Sequence, residues 1–355
     1  MNTPFISVVI RSKDEADRLR LTLTSLERQA YGAEVIVVDD GSTDHTGDVL
    51  AEAMGRLPLT AVRHTTPRGR AAASNAGAKL AKGEVLLFLD GDTLAGPHLL
   101  PVHAALHEKA KDIVARGELR HLRCTRPLRN PELGTPWPDQ VATLARRSSA
   151  ELQAMFVTRK QILDDFDAIC RRADPGIYPG GGPRCLHEVE WEALTQAPDC
   201  GVLWAAASGS NLSARREPFL AAGGFDERID QNDHREMPLR LTQRGMRMVA
   251  APGAFTYHLT HRSGWRDPLE DFTWETEFLA RHPIPAVALL IVLWASLGLA
   301  SRIPEPYRLM SFPELDEAAQ GRRGLNYDEA RHCLGRPPLG AAFWRGEPGP
   351  RTHGV

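Results

Sequence analysis

The chain has 355 residues and a mass of 39.1 kDa, enough for one large domain or two ordinary ones. A composition of 42% hydrophobic and 25% charged residues is that of a soluble globular protein, and a net charge of -2 gives no whole-molecule basic field for gathering nucleic acid. Five cysteines (Cys124, Cys170, Cys185, Cys200, Cys333) form no CxxC and no metal-ligand spacing, which points to a reducing, cytoplasmic setting.

The opening stretch MNTPFISVVIRSKDEADRL has no basic segment followed by an apolar one, so no secretory signal is expected. FISVVIR (5–11) reads as a strand, and 14–30 has helical spacing through Leu19, Leu23 and Leu26. A second strand follows at 33–40, then a helix from Asp44 to about Gly55 with Ser42 and Thr43 as natural caps. Next come a strand at 59–64, an Ala-rich helix at 69–83, and strands at 84–90 and 112–119. Near-continuous apolar strands alternating with helices predict an α/β fold with a mostly parallel central sheet covered on both faces.

Residues 120–200 differ. Proline, arginine and glycine dominate 123–138, DPGIYPGGGPR (174–184) is rich in breakers, and 139–173 reads as one long helix or a broken pair. Order returns over 201–227, with a turn and a helix at 213–222, a short helix at 235–244 and a strand at 246–257. The uncharged run 284–301 is borderline short for a membrane span of ~20 residues; a buried helix is expected, with peripheral membrane contact as the alternative. The Pro/Gly-rich tail 335–355 is expected to be disordered.

Three strands end in polar clusters: Arg11-Ser12-Lys13-Asp14-Glu15, Asp39-Asp40-Gly41-Ser42 and Asp90-Gly91-Asp92-Thr93. In doubly wound sheets the carboxyl ends of strands carry the ligand site. One DDGS stretch alone would be helix capping, but three acidic strand ends along one edge ask for more. Neither GxGxxG nor GxxxxGK[ST] follows the first strand, so a phosphate ligand would need another charge partner. Asp90 and Asp92 repel at the tip of an apolar strand, and a divalent cation between them resolves this. Hard oxygen ligands favour Mn²⁺ or Mg²⁺.

ISVVIRSKDEADRLRLTLTSL, EVIVVDDGSTDHT, GRAAASNAGAKLAKGEVLLFLDGDT and SGSNLSARREPFLAAGGFDE, in this order, resemble a family-2 glycosyltransferase of the GT-A fold. The resemblance covers about 5–118 and 201–260. It implies a nucleotide-sugar-binding half at 1–118, a helical and loop insertion at 119–200 that forms the acceptor side or a lid, an acceptor and catalytic half at 201–260 and a helical extension at 261–334. It also implies nucleotide-sugar contacts from Arg11, Asp39, Asp40, Arg70, Asp90, Gly91, Asp92, Ser210 and Asn211, and a metal held by Asp90, Asp92 and His258, with His261 as the alternative histidine. Relatives carry a Glu-Asp pair before an LxxRL helix. Here that position falls on Asp233-His234, so the base that deprotonates the acceptor is Asp233 or His234, with Asp230 and Glu236 behind them. The implied reaction is a single inverting displacement from a nucleotide-sugar, with a UDP-sugar favoured. The acceptor could be a saccharide, a lipid-linked carrier, a peptide or a small molecule.

Trp137, Tyr178, Trp191 and Trp204 could stack on sugars or anchor a core, and Trp265, Phe272, Trp274 and Phe278 suit packing. LLFLDGDTL also resembles the first motif of a haloacid-dehalogenase-type phosphatase, but that motif needs a Thr where this chain has Leu94. A sugar nucleotidyltransferase would need a Gly-rich loop where RSKDEAD stands. The remaining reading is a nucleotide-binding scaffold that has lost turnover.

Overall fold

The computed structural model describes residues 4–261, 266–298 and 302–345; Trp265, the end of the 284–301 run and the last ten residues of the tail lie outside them. The chain divides into two compact units, Met1–Pro175 with Ser208–Trp265, and Gly176–Ala207 with Arg266–Val355. The expected insertion is thus shared between units, 119–175 going with the sheet.

The first unit holds strands β1 (Ile6–Ser12), β2 (Ala33–Asp39), β3 (Leu59–Arg63), β4 (Val85–Asp90), β5 (Thr93–Ala95), β6 (Ile113–His121), β7 (Leu128–Asn130), β8 (Thr135–Pro136), β9 (Asp174–Pro175), β10 (Leu212–Arg215) and β11 (Arg247–His258). The main sheet runs β3-β2-β1-β4-β10-β6-β11-β5, with β9 added to β6, while β7 and β8 pair separately. β1 is parallel to β2 and β4, β2 to β3, and β6 to β11. Ile6, Val8, Val9 and Ile10 are all buried, so both faces of β1 are covered, as a parallel sheet requires.

Helix Ala16–Glu27 directs Leu19, Leu23 and Leu26 into the same core as Val8, Val35 and Leu87. The small residues of helix Arg70–Leu80 let it lie close on the sheet: a Cβ on Gly77 would come within 2.6 Å of Val9 Cγ1. Strand β5, helix Leu99–Lys109 and strand β10 were not anticipated. β10 replaces the expected turn and start of a helix, and that helix shortens to Arg216–Ala221. Residues 139–173 hold four short helices, Val141–Leu144, Ser149–Gln153, Arg159–Asp164 and Phe166–Cys170. Ser148 with Glu151 and Thr158 with Gln161 form capping boxes that restart the helix inside the periodic stretch.

The second unit is helical, with Leu186–Gln196, Thr273–Arg281, Pro285–Ala288, Leu290–Gly298, Phe312–Ala319, Asp328–Cys333 and Ala341–Trp344. Residues 286–297 are buried, Ala286 being the most exposed at 7%. These side chains form the core of this unit, which is the buried helix expected of the run. No helix among the described residues is long and apolar enough to cross a membrane. Trp204 packs edge-on against Phe278 and Trp274 against Trp294, so these are core anchors, whereas Phe272 stays exposed. The tail is ordered further than expected: Trp344 is buried and donates from Nε1 to Asp328 Oδ1 at 2.8 Å. Glu275 is buried between Arg331 Nη1 (2.5 Å) and Arg336 Nε (3.0 Å).

Candidate functional site

The carboxyl ends of β1, β2, β4, β6 and β11 share one edge of the sheet. β10 runs antiparallel to both β4 and β6, so its amino end, with Ser210 and Asn211, reaches that edge too.

The loops after β1 and β2 are stitched together. Asp14, in left-handed conformation (φ 53°), donates from its N–H to Ser42 Oγ at 2.9 Å and accepts from the Thr43 N–H at 2.7 Å. Buried Asp39 accepts from the Ser42 N–H at 2.8 Å, and its other oxygen lies 3.6 Å from Arg63 Nε. Asp40 faces His64 Nδ1 at 2.7 Å and accepts from the N–H groups of Arg68 and Gly69 at 2.8 and 2.9 Å. Burial alone would raise the Asp40 carboxyl, but these bonds hold it below its ordinary value. They also fix the approach to Arg70, the exposed first residue of its helix.

Asp90 and Asp92 point to different partners. Asp90 Oδ1 accepts from Arg11 Nε at 2.7 Å, and Arg11 Nη1 donates to Asp233 Oδ2 at 3.1 Å. Asp92 Oδ2 lies 3.1 Å from His258 Nε2 and 2.7 Å from His261 Nε2. The ligand atoms of Asp92, His258 and His261 lie within 4.8 Å of one another, a trio able to hold a metal ion. Asp90, expected beside Asp92, stands with Arg11 instead, and His261 takes its place in the trio. Burial would raise Asp92, yet His258 and His261 hold it well below the carboxylate range. His121, across the β6–β11 register from His258, brings its Nδ1 within 3.3 Å of His258 Nδ1.

Gly91 is required by crowding. A Cβ there would come within 2.5 Å of Glu15 Oε1 and 2.7 Å of Ser12 Oγ. Glu15 stands in the polar cluster after the first strand, but the sequence alone assigns it no individual role. Burial, with Asp92 and Asp90 beside it, pushes its carboxyl well above the usual range.

Asp233 and His234 open helix Asp233–Thr242 behind Asn232, which is left-handed at φ 67°. Asp233 is buried; burial would raise its carboxyl, but Arg11 and then His234 carry it below the ordinary range. Arg235 Nη1 donates to His234 Nε2 at 2.6 Å, leaving the Nδ1–H to face Asp233 Oδ1 at 3.5 Å. Burial and Arg235 lower the His234 imidazole to about 4, so it is neutral at pH 7. Buried Glu236 is paired with Arg240 at 2.6 Å.

Ser210 Oγ accepts from the Asp90 N–H at 3.3 Å and donates to Thr93 Oγ1 at 2.9 Å. Asn211 has an interior role: fully buried, it donates to Ala254 O at 2.8 Å and pairs with His103 Nε2 at 2.9 Å, tying β10 to β11.

Residues 7–166 match the family described as Glycosyl transferase family 2. A validoxylamine A glucosyltransferase of Streptomyces hygroscopicus subsp. jinggangensis is 41% identical over 110 residues, 30% of this chain and 26% of that protein. The chain spans from 24% to 42% of the length of four curated relatives it matches. Among solved structures, S. aureus TarS 1-349 in complex with UDP-GlcNAc aligns at a TM-score of 0.53 with 13% identity, over 97% of this chain and 92% of that one. Mannosyltransferase PcManGT from Pyrobaculum calidifontis, in complex with GDP-Man and Mn²⁺, aligns at 0.50 with 17% identity, over 94% and 74%. The fold is that of the GT-A glycosyltransferases.

Proposed function

We propose that this chain, whose residues 7–166 belong to glycosyl transferase family 2, moves a sugar from a nucleotide-sugar to a hydroxyl acceptor by a single inverting displacement. The observation that carries the reading is the trio Asp92, His258 and His261 at the carboxyl edge of a GT-A sheet. One carboxylate oxygen and two imidazole nitrogens suit Mn²⁺ better than Mg²⁺, which prefers oxygen throughout. A divalent cation bound there supplies positive charge to a departing nucleoside diphosphate. The other roles belong to side chains. Asp39 and Asp40 would receive the base, with uracil favoured, while Arg70 and Asp90 contact the ribose and phosphates. Asp233 takes the acceptor proton as the acceptor oxygen bonds to the anomeric carbon and the bond to the diphosphate breaks. His234 holds Asp233 in place, and would be the alternative base once its Nε2 is released from Arg235. The acceptor is a saccharide, a lipid-linked carrier, a peptide or a small molecule.

A thermal-shift panel of UDP-, GDP- and dTDP-sugars with and without Mn²⁺ tests this. The true donor at 100 Kd should stabilise the chain by about 2.7 kcal/mol, less without metal, and Asp92→Ala should abolish the metal-dependent part. Unchanged stabilisation in that variant would refute the metal assignment. Binding without product in a transfer assay would leave a nucleotide-binding scaffold.

A further inference from the structure

Resting on the cation reading above, we infer that Thr93 is a positioning residue that aims the Asp92 carboxylate, with Ser210 as its anchor. Each hydroxyl has one proton to give. Ser210 Oγ accepts from the Asp90 N–H at 3.3 Å, so its proton goes to Thr93 Oγ1 at 2.9 Å. The Thr93 proton then goes to Asp92 Oδ1 at 3.1 Å. The relay runs one way and ends on the carboxylate oxygen that does not face the histidines. Oδ2 is thereby left with its lone pairs toward His258 Nε2 and His261 Nε2.

The relay is built into the fold. Thr93 is fully buried and Ser210 is 5% exposed, so water does not compete for these protons. Thr93 opens β5 and stands directly across the β5–β11 ladder from His258. The side chain that orients one ligand therefore shares a rung with the second. A carboxylate without the relay could turn about its Cβ–Cγ bond and carry its oxygen out of line with the two histidines. Groups that orient metal ligands in this way are typically worth 10- to 100-fold in metal affinity.

The test is Mn²⁺ affinity of the full chain, measured calorimetrically and by electron paramagnetic resonance of free Mn²⁺, with and without UDP or GDP. Thr93→Val keeps the shape and removes the hydroxyl; it should weaken Mn²⁺ binding about tenfold. Thr93→Ser restores the proton and should bind within about twofold of wild type, with Ser210→Ala in between. Wild-type affinity in Thr93→Val would overturn the inference. So would equal weakening in Thr93→Ser, which would make the loss one of packing. A wild type that binds no Mn²⁺ would remove the cation reading itself, a separate result.

Discussion

Replacing Arg11 by methionine should strand a buried carboxylate. Arg11 reaches Asp90 at 2.7 Å and Asp233 at 3.1 Å, and the Asp233 side chain is only 3% exposed against 32% for Asp90. Unit charges about 3 Å apart attract by roughly 5 kcal/mol at an effective dielectric constant near 20, part of which offsets the desolvation of Arg11 itself. Asp90 has water to fall back on; Asp233 does not. The net loss at pH 7 should be about 3 kcal/mol. In the wild type the Asp233 carboxyl is held low, so its contribution is present above the unfolded carboxyl value and lost only in strong acid. In Arg11→Met the burial effect remains with its main opponent gone, so the folded carboxyl rises and takes up a proton as pH falls. The deficit should then be largest at pH 8 and shrink at pH 5. Urea unfolding of wild type, Arg11→Met, Asp233→Asn and the double variant, followed by tryptophan fluorescence, gives the coupling energy, expected at about 3 kcal/mol. A coupling below about 0.5 kcal/mol, or a deficit equal at both pH values, would refute the reasoning.

Gly91→Ala drives a methyl group against Glu15 and Ser12 and should cost about 1–3 kcal/mol, read as a lower melting temperature together with weaker donor binding. Glu275→Ala leaves Arg331 and Arg336 buried without their shared carboxylate; a loss of about 3–5 kcal/mol in urea unfolding is expected. Asp233→Asn should lower kcat about 10²- to 10⁴-fold while His234→Asn, which removes only a holding contact, lowers it less; the reverse order in steady-state assays would make His234 the base.

Much of the first half was readable because its signals are local. β1, β2 and β4 are apolar runs with polar ends, and the Asp90–Asp92 pair stands out against them. β10 was not readable: LSAR carries no strong strand pattern and is a strand because β4 and β6 leave an antiparallel slot between them. The site divides in the same way. Asp92 and His258 followed from motif and order. The parting of Asp90 toward Arg11, the crowding of Glu15 under Gly91 and the hydroxyl of Thr93 depend on which strands end side by side, which residue order alone does not state. Within 139–173, helical periodicity runs across the capping boxes that divide it, so the sequence reads as one long helix or a broken pair where four short helices stand.

The reversed direction of β10 has an evolutionary consequence. The polypeptide departs from the rim after His121 and returns to it just before Leu212. An insertion whose two ends open on the same rim can change in length between its own elements without altering the order β4-β10-β6. Sequence change can thus concentrate in that excursion while the strand that ends at His121 stays unaltered.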